Sequence, residues 1–80
     1  MMVKFVRAIR IYQNPVNLKE DIRCDLLYSD GVIEHYDWMS HRDQKKIKNE
    51  IDSRTIIYDE RPDKVDMSWE SYCKFYGANI

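Results

Sequence analysis

Asp30-Gly31 separates two runs of strand-forming residues, Ile22 to Tyr28 and Val32 to Trp38, and this junction constrains the fold more than any other feature of the chain. Glycine there tolerates the positive φ that tight hairpin turns demand, so the two runs are expected to pair antiparallel. With a two-residue loop, Tyr28 faces Ile33, Leu26 faces His35 and Cys24 faces Asp37, which places Ile22, Cys24, Leu26, Tyr28 and Ile33 on one core-facing side. A three-residue loop shifts the register by one and sends His35 and Asp37 to the opposite face.

Upstream, Val3 to Tyr12 reads as a strand with imperfect alternation: Val3, Phe5, Ile9 and Ile11 share one parity, and Lys4, Val6, Ala8 and Arg10 the other. Asn14-Pro15-Val16-Asn17 ends it in a loop that runs to about Asp21. Downstream, Ser40 with Asp43 three residues later is a short-armed capping box, predicting a helix to about Ser53 whose buried side carries Ile47 and Ile51. Thr55 to Asp59 is β-branched and aromatic enough for a short fourth strand. After the charged loop Glu60-Arg61-Pro62-Asp63-Lys64, Asp66 or Ser68 can cap a last helix. Trp69, Tyr72, Cys73 and Tyr76 recur there at helical spacing, and Gly77 ends it.

The order β-β-β-α-β-α predicts an α+β fold, in which a small antiparallel sheet (a three-stranded meander plus a short fourth strand) carries two helices packed on one face. Eighty residues are expected to form a single domain spanning 1–80. Thirteen basic and fourteen acidic residues leave a net charge of −1, so an electrostatic role has to come from a local patch. No apolar run approaches the ~20 residues that cross a bilayer, and Met1 to Arg10 lacks the apolar centre of a secretion leader. No membrane association is expected, and a cytoplasmic location would keep Cys24 and Cys73 reduced.

Cys24, His35, Asp37 and His41 are the residue types of an activated nucleophile and, with Cys73, of a zinc site. Their spacing fits neither, because no close ligand pair of the Cys-x₂-Cys kind is present. Gly31 and Gly77 stand too far apart to build a phosphate-cradling loop. The chain is therefore expected not to be an enzyme and to use no cofactor or metal.

Surface complementarity remains. Tyr36, Trp38 and Phe75, with the acidic Asp59, Glu60 and Asp63, are the expected protein-binding residues, since aromatic side chains dominate binding hot spots. The expected partner is a host protein or protein complex: isoleucine, lysine and tyrosine outnumber glycine, alanine and proline, as in low-GC genomes, which include many bacteriophages. A small phage or mobile-element accessory or inhibitor protein fits that pattern. An alternative is an RNA- or DNA-binding module using Arg42, Lys45, Lys46 and Lys48 on the helix at 41–53, where basic side chains could neutralise phosphates. Self-association is a third reading, a homodimer covering an open strand edge and the aromatic helix.

Overall fold

A computed structural model of the chain describes residues 3–13, 21–59 and 67–79. The elements follow the expected order: β1 (Val6–Gln13), β2 (Ile22–Tyr28), β3 (Ile33–Asp37), α1 (His41–Glu50), β4 (Ile56–Ile57) and α2 (Trp69–Phe75). The strands form one sheet in the order β3-β2-β1-β4, an antiparallel meander extended by a short fourth strand that runs parallel to β1. The chain thus has the α+β fold that its residue pattern predicts.

The β2–β3 turn has three residues, not two. Tyr28 N–H donates to the Val32 carbonyl, and Gly31 N–H donates back to the Tyr28 carbonyl, which leaves Ser29, Asp30 and Gly31 in the loop with Gly31 at φ +89°. A three-residue hairpin needs one left-handed residue before the second strand, and glycine takes that conformation without steric cost. The register becomes Leu27 opposite Ile33, Leu26 opposite Glu34, Asp25 opposite His35, Cys24 opposite Tyr36 and Arg23 opposite Asp37. Ile33 therefore leaves the face expected for it, and His35 and Asp37 leave with it.

The alternation of β1 is interrupted in the same way. Val6 pairs with Tyr28 and Ala8 with Leu27, so Arg7 is the extra residue of a bulge. The bulge puts Val6 and Ile9 on the same face despite their odd separation, which accounts for the imperfect pattern in the sequence.

Leu26 and Leu27 are adjacent and both fully buried, so they point to opposite faces of a sheet that must be covered on both. On one face Val6, Ile9, Cys24, Leu26, Tyr28 and Tyr36 pack with Ile47 of α1, and Trp38 and Ile51 lean on them. On the other, Ala8 and Leu27 pack with Tyr58 and with Trp69, Cys73 and Ala78 on and after α2. The helices thus lie on opposite faces, correcting the expectation that they share one. The continuous burial of Cys24 through Tyr28 reflects this two-sided covering.

Helix α1 starts where its cap predicts, with Ser40 Oγ accepting from Asp43 N–H. Asp43 does not close the box onto Ser40; its carboxylate accepts from Asp37 N–H at 2.9 Å and fixes the helix to the end of β3. The helix stops at Glu50, short of Ser53, because Asp52 and Thr55 take over the local backbone. Asp52 N–H donates to Thr55 Oγ1, and Arg54 N–H donates to Asp52 Oδ1. Helix α2 is capped by Ser68 and closes on Gly77 at φ +92°, with Ala78 N–H reaching the Cys73 carbonyl and Gly77 N–H the Lys74 carbonyl.

The two left-handed glycines meet. A Cβ on Gly31 would lie 2.7 Å from the Gly77 carbonyl oxygen, whereas a Cβ on Gly77 would meet nothing within 4 Å. Both substitutions by alanine carry the left-handed penalty of roughly 1–2 kcal/mol, and only Gly31→Ala adds a backbone clash. Urea denaturation should therefore show Gly77→Ala destabilised by about 1 kcal/mol and Gly31→Ala by clearly more, about 2 kcal/mol or above. Equal losses would mean that the turn does not pack against the end of α2.

Candidate functional site

The register sets a row of polar residues across the α2 face, Arg10 on β1, Asp25 on β2 and His35 on β3, one step beyond the apolar row of Ala8, Leu27 and Ile33. Asp25 is only 3% exposed, and an ionised carboxylate in that position is costly unless it is hydrogen-bonded. Its Oδ1 takes His35 Nδ1 at 2.7 Å and, from the next row, the Tyr12 hydroxyl at 3.4 Å. The Arg10 guanidinium lies 3.8 Å from the centre of the Tyr12 ring and 5.8 Å from that of Trp69. Burial, and then the charge on Asp25, raise the Tyr12 hydroxyl above its ordinary pKa. A cleft of about 430 Å³ opens beside the pair, walled by Val32, Ile33 and Trp69, with Asp25, His35, Gly31 and Asn79 completing its lining.

The other face carries an apolar surface at the β4 edge. Ile9, Ile11, Trp38, Ile51, Thr55 and Ile57 line most of a groove of about 280 Å³ between β1, β4 and the end of α1. Ile57 is 76% exposed, and Ile11 and Ile56 are also exposed. Tyr58 N–H donates to the Ile9 carbonyl, so alternation along the strand directs the backbone groups of Ile57 away from β1.

The expected protein-binding residues do not form one surface. Tyr36 is buried in the α1-side core at 8% exposure, with its hydroxyl on Glu34, so it is a packing residue and not a surface contact. Its hydroxyl pKa is pushed up, first by burial and then by Glu34. Trp38 is half-buried on that same face and lines the groove. Phe75 is 72% exposed on α2, across the sheet from Trp38. Asp59 is half-buried, while Glu60 and Asp63 lie outside the described residues.

The basic residues of α1 are all exposed. Lys46, however, sits 5.5 Å over the Tyr36 ring in a recess shared with Glu34 and Glu50, which leaves Arg42, Lys45 and Lys48 as the open part of the stripe. Cys24 belongs to the α1-side core, whereas His35 and Asp37 face the α2 side and His41 opens α1. The sheet separates that thiol from the imidazole of His35. Among the described residues no three His, Cys, Asp or Glu side chains are grouped to hold a metal ion. No helix among them is long and apolar enough to cross a membrane.

Sequence reasoning missed Asp25, Tyr12 and the groove isoleucines. Asp25 is detectable only once the turn length is known, because the three-residue loop is what brings it opposite His35. No family model, curated protein or solved structure matches the chain.

Burial raises the Cys24 thiol from 9.0 to about 12 and the Cys73 thiol to about 11, with the charge of Asp25 adding to both. In the folded chain at pH 8 both should resist an aromatic disulfide reagent, and in urea both should react completely. A raised acid pKa also means that this contribution to stability is whole below pH 9 and is lost as pH climbs through the folded values near 11 and 12. Urea midpoints should accordingly fall on the alkaline side of pH 9 and recover on return.

Proposed function

We propose that the chain is a protein-binding module that does no chemistry of its own, and that it docks an extended apolar segment of a partner protein along the β4 edge. One observation carries this reading: Ile57 stands 76% exposed at the lip of an apolar groove, beside outward-directed backbone groups. Large exposed aliphatic side chains clustered at a recess mark interaction surfaces more often than they occur by chance. An open strand edge supplies main-chain hydrogen bonds to an added strand, and a neighbouring pocket selects its side chain. Trp38 is the aromatic anchor among the groove residues, and the neighbouring Asp52 and Arg54, paired at 2.6 Å, give the surface a polar rim.

Ile57→Glu places a charge in the centre of this surface without touching either core, so folding stability should change by about 0.5 kcal/mol or less. Immobilised wild-type chain, Ile57→Glu and the triple variant Arg42→Glu, Lys45→Glu, Lys48→Glu can be compared for capture from nuclease-treated lysate. Partners held by the wild type and the triple variant should be lost at least about tenfold with Ile57→Glu, the equivalent of about 1.4 kcal/mol. Capture indifferent to Ile57→Glu would contradict the proposal. Capture of nucleic acid lost in the triple variant would favour the basic helix instead.

A further inference from the structure

We infer that the cleft between β3 and α2 is a binding site for a neutral, ring-sized group bearing an O–H donor, a phenol in its simplest form, and that His35 Nε2 is the acceptor. The inference is independent of the β4 edge, which lies on the other side of the molecule from the cleft.

Asp25 determines how His35 presents itself. An ionised carboxylate only accepts hydrogen bonds, so the proton in the 2.7 Å contact belongs to Nδ1 of His35. In a neutral imidazole that leaves the lone pair on Nε2, on the side of the ring turned away from Asp25. The His35 side chain is 64% exposed while its partner carboxylate is almost wholly enclosed, so in the neutral form it is the imidazole, and not the acid, that offers the cleft an acceptor. A buried acid that orients an exposed imidazole is the arrangement by which proteins hold a histidine in one tautomer for a ligand.

The rest of the lining selects the ligand. Val32, Ile33 and Trp69 offer apolar walls, and the Asn79 amide offers one more donor and acceptor. Among the described residues no lysine or arginine lines the cleft, so within that lining an anion finds no permanent counter-charge. The Asp25 side chain is only 5% exposed behind the imidazole, so a cation in the cleft meets the ring of His35 before the acid. A volume of about 430 Å³ accommodates an aromatic ring with room to turn. An apolar ring with a single O–H suits the apolar walls and the His35 acceptor, and its oxygen can accept from the Asn79 amide.

Phenol and toluene, which share shape and differ only in the donor, are the probes. Nitrogen-15 and proton NMR of the full chain, titrated with each, should show saturable shifts at the His35 ring nitrogens, the Trp69 indole N–H and the Asn79 amide. Phenol should bind about tenfold more tightly than toluene, the worth of one good neutral hydrogen bond. In His35→Phe, which keeps the wall and removes the acceptor, that advantage should disappear. Equal affinity of the two probes for the wild type, shifts confined to other surfaces, or no saturable shift up to the solubility limit of phenol would each overturn the inference. The comparison of probes on the wild type stands even if His35→Phe folds poorly. A capped tyrosine tripeptide distinguishes the sources of the phenol: tighter binding than phenol assigns the site to a tyrosine of a partner chain, and equal or weaker binding assigns it to a free phenolic compound.

Discussion

Side chains on a strand alternate with a period of two, so one residue more or less in the β2–β3 turn decides which face every residue of β3 occupies. Gly31 makes that decision here. Its left-handed backbone admits the third loop residue, and its missing side chain lets the Gly77 carbonyl sit against the turn. The end of α2 is thereby tied to the hairpin, and the same contact that sets the register brings the second helix down on the face the register has created. Asp25 beside His35, Ile33 under α2 and Tyr36 under α1 are all consequences of that one turn.

A sheet covered on both faces makes strong demands on so short a chain. β2 is central and meets a core on each side, which is why Cys24, Leu26 and Tyr28 can serve one helix while Leu27 serves the other. The outer strands are less protected. β4 is only two residues long, and both isoleucines are exposed, one toward each face. The interior is therefore concentrated around β2, and the β4 edge keeps its two isoleucines exposed.

The periodicities were legible where a single physical rule governs them. Ser40 and Ser68 cap their helices, Ile47 is the buried residue of α1, Trp69 and Cys73 are the buried ones of α2, and Gly77 closes that helix. Rules in competition were harder to read. The residues of the Asp30-Gly31 hairpin suit a loop of two or three, and the hydrogen bonds of Tyr28 with Val32 and Gly31 show that it has three. The Arg7 bulge hid the partnership of Val6 with Ile9, and the Asp52–Thr55 turn cut α1 short. Tyr36 looked like a surface aromatic because its position depended on the same register. Asp25 looked like an ordinary strand carboxylate, and nothing local in the sequence distinguishes a buried acid from an exposed one.

The three-residue turn places Asp25 opposite His35, and this pairing can be observed without any ligand. Since Tyr28 and Val32 form a hydrogen-bonded pair, alternation makes Asp25 and His35 a non-hydrogen-bonded pair, whose Cα atoms approach to about 4.5 Å. The most direct measurement is the set of cross-strand Hα–Hα Overhauser effects between β2 and β3. Strong effects are predicted for Asp25 with His35 and for its neighbours Leu27 with Ile33 and Arg23 with Asp37. Effects joining Leu26 with His35, or Cys24 with Asp37, would contradict it, because they belong to the two-residue turn in which His35 and Asp25 lie on opposite faces.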